Sequence, residues 1–236
     1  MQYDVIIDGV KGINHDLYII NRVDIPITKR NVSYIDIPGR DGYLTKENGL
    51  SDKSFSINFN FVERSNMPKK IRGITPWLLN AEKIMFTDDL EVYYKVKAIE
   101  FGDIARELAV FGSFTAYVTI EPFAYMHENI ININSASTLL NLGTYESNPY
   151  LKVYYSGEVK LKINDKSIKL KEVDNYIEID SEIEECFKGD DPLNNKMEGK
   201  FPIFNLGVNK ISWEGNVSKI EINPRWRYVW LSYIKI

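Results

Sequence analysis

Alternation between apolar and polar residues is the strongest pattern in the chain. In residues 54–62, Phe55, Ile57, Phe59 and Phe61 alternate with serines and asparagines. Successive side chains of a strand point to opposite faces, so these four apolar side chains share one face. The segment predicts a half-buried β-strand.

Two more segments extend this pattern in the first half of the chain. Residues 92–99 alternate in the same way, and residues 110–120 place four apolar side chains on one face: Val110, Phe114, Val118 and Ile120. Short alternating runs separated by turns are typical of antiparallel strands. We therefore predict an antiparallel meander.

One helix is predicted, and it begins near Asn66. Asn66 is suited to the N-cap and Pro68 to the first turn. Gly73 and Pro76 interrupt the following run, which predicts a short helix that is broken or restarted. The side chains expected to pack on a sheet are Ile71, Trp77 and Leu78.

Residues 28–53 form a long polar segment that contains few core residues. Long loops inside compact domains are usually functional or ordered by a partner. We expect this segment to be a loop of that kind.

The apolar pattern weakens in the Asn-rich residues 129–137, which predicts a domain boundary. The expected domains are residues 1–128 and residues 129–236. Alternation then returns in a second run whose apolar positions are Leu151, Val153, Tyr155, Val159, Leu161 and Ile163.

Short strands continue to the end of the second domain. Asn164 and Asp165 predict a hairpin turn after the first of them. The strands that follow are expected at residues 167–171, 176–180, 209–213, 218–222 and 225–233. Their regular spacing predicts a β-sandwich or jelly roll.

Composition narrows the classes of function. The 236 residues are 44% hydrophobic and 26% charged, which is typical of a globular protein with a sizeable core. A formal charge of -4 provides no broad positive field for a nucleic acid. The chain has no basic leader and no apolar run long enough to span a membrane, so we expect cytosolic folding and no membrane insertion.

No arrangement of residues points to catalysis, a cofactor or a metal. His15 and His127 stand outside any ligand spacing, and no nucleophile elbow or phosphate loop is present. The single cysteine, Cys186, excludes a disulfide framework, and the preceding glutamates are expected to raise its pKa. The carboxylate clusters match no calcium loop: Asp88 and Asp89; Glu182, Glu184 and Glu185; Asp190 and Asp191.

The most suggestive segment for ligand binding is residues 224–230, where aromatic residues alternate with arginines. As a strand it places Trp226, Tyr228 and Trp230 on one face. Packing in a β core is favoured over stacking on a sugar. A carbohydrate-binding module that recognises host-wall glycans, with Trp226 and Tyr228 as stacking residues, remains the alternative function.

The order of local sequences resembles the distal tail proteins, or Dit, of long-tailed, non-contractile phages of Gram-positive bacteria. The segments that carry the resemblance are residues 37–42 (IPGRDG), 79–88, 111–115 (FGSFT), 121–125 (EPFAY), 143–149 (GTYESNP), 208–213 (VNKISW) and 223–227 (NPRWR). Together they span nearly the whole chain. A tail-tip protein of a prophage or a phage-derived particle would look similar.

The resemblance implies a mainly β fold with two domains. The first is a tail-tube-like β-sandwich or barrel with one helix, and the second is a jelly-roll β-sandwich. It also implies a homohexameric ring at the virion tail tip, assembled in the host cytoplasm. Its expected partners are the tail-tube protein, the tail-associated tip or lysin protein and a receptor-binding protein. No enzymatic activity is expected.

Within that framework the polar residues 28–53 become a candidate arm between subunits. A segment too poor in core residues to order alone can order against a neighbour. Gly42 permits a tight turn, and Arg40 and Asp41 can pair within or between subunits. The interface residues expected from this reasoning are Arg40, Asp41, Gly42 and Tyr43.

Overall fold

The computed structural model describes residues 3–62, 65–101, 113–127 and 129–229. The described residues fall into two compact units. The first comprises residues 3–125 together with Val229, and the second is Met126–Tyr228.

The first half of the chain forms ten strands and one α-helix among the described residues. The helix is α1 (Met67–Leu79). The strands are β1 (Val5–Ile7), β2 (Val10–Lys11), β3 (Leu17–Ile19), β4 (Arg30–Ile35), β5 (Leu44–Leu50), β6 (Lys53–Phe61), β7 (Lys83–Phe86), β8 (Asp89–Phe101), β9 (Ser113–Ile120) and β10 (Ala124–Met126).

The main sheet of the first unit has the strand order β2-β1-β7-β8-β9-β6-β3. Of the three strands in the predicted meander, β8 and β9 pair as expected, whereas β6 pairs with β9 rather than with β8. All four predicted phenylalanine and isoleucine positions of β6 are buried, which confirms that strand. In β9 the buried positions include Phe114, Val118 and Ile120, as expected, whereas Val110 lies outside the described residues.

The simple alternation predicted for residues 92–99 is wrong. Val92, Tyr93 and Tyr94 are buried in succession. The first part of β8 pairs with β7 and its second part with β9, with register shifts in both ladders. Both shifts fall at or next to residues 92–99, so a period of two does not describe the burial of β8 there.

Helix α1 is continuous, in contrast to the predicted break. Asn66 occupies the N-cap in a left-handed conformation, and its carbonyl rather than its side chain accepts the first hydrogen bonds. Ile74 and Leu78 are the buried residues, so Ile74 replaces Ile71 as the main contact. Trp77 is half-buried and donates from Nε1 to the carbonyl of Ile7 at 3.3 Å.

The second unit is also built from strands. They are β11 (Ile131–Ile133), β12 (Ser137–Leu140), β13 (Tyr150–Ile163), β14 (Lys166–Leu170), β15 (Tyr176–Asp180), β16 (Glu185–Lys188), β17 (Asp191–Pro192), β18 (Met197–Glu198), β19 (Val208–Asn223) and β20 (Arg227–Tyr228). The sheet runs β11-β19-β13-β15-β16-β17, with β12 on β19 and β14 on β13. The mainly β fold class predicted from the sequence is confirmed.

The predicted run at residues 151–163 is confirmed as β13, with all six apolar positions buried. The two strands predicted at residues 209–213 and 218–222 are instead one strand, β19. Gly215 has a φ of +108°, and the ladder with β13 shifts register nearby. The glycine therefore forms part of a bulge within one strand rather than a turn between two.

The strand predicted at residues 225–233 is reduced to β20 in the described part of the chain, and residues 230–233 lie outside it. Arg225 has a φ of +51°, which breaks the extended geometry before β20 begins. The predicted division of this segment into an aromatic face and an arginine face is therefore wrong for the residues described.

Candidate functional site

The segment predicted to be a loop is an exposed β-hairpin. Strands β4 and β5 pair only with each other in the described structure and form a separate two-stranded sheet. Their register places Tyr34 opposite Thr45 and Ile35 opposite Leu44. The prediction of an irregular loop is wrong because the backbone groups of this polar segment satisfy one another across the hairpin. We call residues 30–50 the arm.

Two glycines shape the tip of the arm. The Arg40 amide donates to the carbonyl of Ile37 at 3.1 Å, and Gly39 has a φ of +82°. Proline followed by a glycine with positive φ is typical of a type II turn. Gly42, with a φ of +76°, turns the chain again before β5.

The arm exposes a group of large apolar side chains. Tyr34 and Tyr43 are 69% and 65% exposed, and their rings meet edge to face at 6.1 Å between centroids. Ile35, Ile37 and Leu44 are also exposed. Contiguous apolar groups left in water mark an interaction surface.

The exposed apolar side chains lie on both faces of the hairpin. Tyr34 and Tyr43 lie together on one face, whereas the opposed pair Ile35 and Leu44 belongs to the other. Of the residues in β4 and β5, only Val32 and Leu50 are even half-buried. An isolated two-stranded hairpin is marginally stable in water, so this geometry favours a partner that covers the arm.

The base of the arm is fixed to the first unit. Thr28 is buried and donates from Oγ1 to the carbonyl oxygen of Pro122 at 2.7 Å. On the other side of the arm, Asp52 pairs with Lys97 at 2.9 Å. Lys53 follows and is buried beside the Tyr94 ring, and its burial lowers its pKa to about 8.

The structure places the predicted interface residues at the tip of the arm. Arg40 and Asp41 form no ion pair with each other or with any other residue that the structure describes, so the predicted local pairing is absent there. Tyr43 contacts Tyr34, which the sequence reasoning did not include. A pattern in the sequence does predict this hairpin: β-prone residues lie on both sides of a glycine-rich turn. That pattern would have included Tyr34, Ile35 and Leu44.

Trp226 is not available as a sugar-stacking platform. Its side chain is 5% exposed and lies 5.4 Å from the ring of Phe204 in the core of the second unit. The favoured interpretation, packing, therefore holds for this residue. Tyr228 is half-buried with its hydroxyl 3.4 Å from the Met126 sulfur. Trp213 packs against the same core.

Arg225, one of the two arginines of this segment, forms a partly buried ion pair. Arg225 donates from both terminal nitrogens to the Asp180 carboxylate, at 2.6 and 2.8 Å, and also pairs with Glu182. Burial by itself raises the pKa of Asp180, but the hydrogen bonds from Arg225 and the Glu182 amide outweigh it, and the pKa is lowered. This arrangement stabilises the fold and uses the Arg225 guanidinium for contacts within the second unit.

The remaining candidates for chemistry are structural. Burial raises the pKa of the Cys186 thiol to about 12, so the direction expected from the sequence is right and the cause is desolvation rather than the neighbouring glutamates. Within the described residues, no three histidine, cysteine, aspartate or glutamate side chains could hold a metal together. No helix that the structure describes is long and apolar enough to cross a membrane.

Sequence comparison identifies no relative. No protein-family model matches the chain. No curated protein matches it either.

Solved structures of phage proteins do resemble it. SPP1 Dit, described as a paradigm of the hub adsorption apparatus in phages that infect Gram-positive bacteria, matches with a TM-score of 0.65 at 13% identity. The match covers 94% of this chain and 99% of SPP1 Dit. A chain of the phage p2 baseplate, in its activated conformation with Sr, matches with a TM-score of 0.52 at 12% identity, over 94% of this chain and 96% of its own length. The chain therefore has a fold similar to that of SPP1 Dit.

Proposed function

We propose that this chain is a structural hub protein of the distal tail or baseplate of a phage or prophage. The observation that carries the proposal is the match to SPP1 Dit over nearly the full length of both chains. A match of this extent includes both compact units rather than one widespread module. At 13% identity, the TM-score of 0.65 supports a shared fold alone, and the function is inferred from that fold.

In the proposed assembly, six copies form a closed ring. Head-to-tail contacts close into a ring when the rotation between neighbours permits it. The arm supports this arrangement because its apolar side chains on both faces have no cover within the described part of their own chain. A neighbouring copy that covers the arm would bury Tyr34, Tyr43 and Leu44.

The ring would join the tail tube to the tail-tip apparatus. Its partners are then the tail-tube protein on one side, a tail-associated tip or lysin protein on the other, and a receptor-binding protein at the periphery. Residues 1–128 are proposed as the ring-forming, tail-tube-like domain and residues 129–236 as a jelly-roll domain. The protein would act at the virion tail tip after assembly in the host cytoplasm, without catalysis.

Mass in solution tests the ring. Size exclusion with light scattering is expected to show six copies of the 27.4 kDa chain, about 164 kDa, with a central hole in negative-stain images. If the isolated chain is monomeric, the measurement is repeated with the tail-tube and tail-tip proteins from the same genome. A monomer under both conditions contradicts the proposed function.

A further inference from the structure

Four large aliphatic side chains are exposed on two neighbouring segments of the second unit. Leu140, Leu142, Leu206 and Val208 are 54–61% exposed. We call these four residues the aliphatic patch. Leu140 on β12 is the direct partner of Val208 on β19, so the patch spans two adjacent strands.

The pairing register places the centre of the patch on one face, because Leu140 and Val208 are directly opposed and point the same way. The Asn141 amide donates to the Gly207 carbonyl at 2.8 Å, which continues the pairing by one hydrogen bond. Gly207 has a φ of +79° and ends the extended strand there, and Leu142 and Leu206 are the exposed residues just beyond this point.

Two buried asparagines hold the patch in place. Asn141 donates from Nδ2 to the Tyr145 and Asn205 carbonyls, and its Oδ1 accepts from the Gly143 amide. Asn209 is fully buried, accepts from the Asn205 amide and donates back to the Asn205 carbonyl. Because these bonds fix the backbone on both sides, the patch is preorganised for contact.

Beside the patch, β12 leaves one edge open. Among the strands that the structure describes, β12 pairs only with β19. The Asn141 amide points toward β19, so in an antiparallel ladder the amides and carbonyls of Thr138 and Leu140 point to the open edge. An exposed apolar edge is a template for another strand.

The charge next to this edge is positive, although the whole chain carries a formal charge of -4. Lys210 is opposite Thr138 and faces the same way as Val208, and Lys162 is opposite Ser212 on the next strand. Neither lysine has an ion pair in the part of the chain that the structure describes. An added strand would lie about 10 Å from β19, within reach of Lys210 across the short Thr138 side chain.

We propose that the open edge of β12 binds an extended acidic and aliphatic segment of another protein as an additional strand. Main-chain hydrogen bonds to Thr138 and Leu140 supply affinity, as in other cases of strand addition. Aliphatic side chains of the segment pack on the aliphatic patch, and a carboxylate pairs with Lys210. The site belongs to the second unit alone, so it operates whether or not the chain forms a ring.

A designed peptide tests the site on the full chain. The probe is a labelled, end-blocked Glu-Thr-Val-Thr-Val-Thr-Val-Thr-Glu, whose symmetric pattern serves either strand direction. We expect saturable binding by fluorescence anisotropy. Replacing both glutamates by lysine is expected to weaken binding at least tenfold, and methylating the amides that face β12 should abolish it. Equal binding of all three peptides, or none up to millimolar concentration, overturns the proposal.

Substitutions on the protein locate the binding. Leu140→Asp and Val208→Asp should each weaken binding of the glutamate peptide at least tenfold. Lys210→Glu should reverse the preference between the glutamate and lysine peptides. The matched control is Ile183→Asp, which changes a similarly exposed residue of the same unit and should leave binding unchanged. Equal loss in the control, or no loss in the other variants, rejects the site.

Self-association is a separate outcome. If Leu140→Asp lowers the mass of the native protein while the peptide does not bind, the patch joins copies of this chain and the proposal is wrong. A ring that forms without peptide binding leaves the proposed function intact and removes this inference. Peptide binding by a chain that stays monomeric even with its tail partners supports this inference and contradicts the proposed function.

Discussion

The ammonium group of Lys53 lies 5.1 Å from the centre of the Tyr94 ring, in the interior of the first unit. Lys53 is 3% exposed and begins the strand that follows the arm. Its burial disfavours the charged form and lowers its pKa to about 8, whereas burial raises the pKa of Tyr94 to about 12. The Lys53 ammonium group at the base of the arm therefore loses its proton more readily than that of an ordinary lysine.

The contribution of Lys53 to the stability of the protein should rise between pH 8 and pH 10, whereas the raised pKa values of Cys186 and Tyr94 act in the opposite direction as their unfolded pKa values are passed. The unfolded chain keeps its proton on Lys53 up to an ordinary lysine pKa of about 10.4, whereas the folded chain loses it near 8, so folding is favoured as pH rises. Urea unfolding at several pH values measures the effect. The stability of the native protein relative to Lys53→Met should therefore increase with pH over this range, and its stability relative to the exposed Lys46→Met should not. A difference between the native protein and Lys53→Met that does not change with pH contradicts the assignment.

Removing the tyrosines of the arm should prevent assembly without unfolding the chain. Tyr34→Ser with Tyr43→Ser is expected to reduce the 164 kDa species, which is about six chain masses, by at least tenfold at equal concentration. The free energy of unfolding should change by less than about 0.5 kcal/mol, because both side chains are exposed. Tyr117→Ser, an exposed tyrosine of β9, is the control. Equal assembly in the double variant would show that the arm is not the interface.

Arg225→Met should destabilise the second unit by about 2 kcal/mol at pH 7, since it leaves the partly buried Asp180 carboxylate without its main partner. The pKa of Asp180 is lowered in the fold, so this contribution is present above an ordinary carboxyl pKa of about 4 and lost as pH falls below it. Thermal unfolding from pH 7 to pH 3 should show the difference from the native protein shrinking. A loss that is independent of pH would assign the effect to packing instead. Adding Asp180→Asn should recover part of the stability at pH 7.

Gly143 should tolerate no side chain. A Cβ there would lie 2.2 Å from the carbonyl oxygen of Arg227, which is backbone and cannot rotate away. Gly143→Ala is therefore expected to cost more than about 3 kcal/mol or to prevent folding. The matched substitution Gly73→Ala, in open space on α1, should stabilise the protein by about 0.5–1 kcal/mol. Similar melting temperatures for the two variants would contradict the geometry.

The single thiol should be unreactive while the chain is folded. Cys186 is buried with its sulfur 3.4 Å from that of Met197, and its pKa of about 12 leaves almost no thiolate at pH 8. A thiol reagent should label it only after denaturation in guanidinium. Rapid stoichiometric labelling of the native protein would show that the site opens readily.

Strands that keep one face toward the core along their whole length were predictable from the sequence. In β6 and β13 the apolar positions alternate and the same alternate positions are buried, because each strand keeps one face toward the core. Prediction failed in β8, where the buried positions do not alternate, and in β19, where the irregular ladder around Gly215 hides the continuity of a single strand. Both depend on pairing with residues distant in sequence.

The arm was recognised in part. Its low content of core residues predicted a segment outside the core, and nearly all residues of β4 and β5 are indeed exposed. Its hairpin form was missed because the polar residues of β4 and β5 hide the period-two pattern. Tyr34 is exposed by geometry alone, since nothing in its residue type distinguishes it from the buried Tyr155. Trp226 shows the converse, a residue type common in binding sites that is buried in the core.

The tyrosines and aliphatic residues of the arm contribute little to the folding of their own chain, so folding places few demands on their identity. Demands on these positions come from whatever covers the arm. In the proposed ring, matched changes in the arm and in the surface of the neighbouring copy that receives it would therefore create sets of copies that assemble only with their own kind. The rest of the first unit would remain unaltered, and two such sets could be produced together in one cell without mixing.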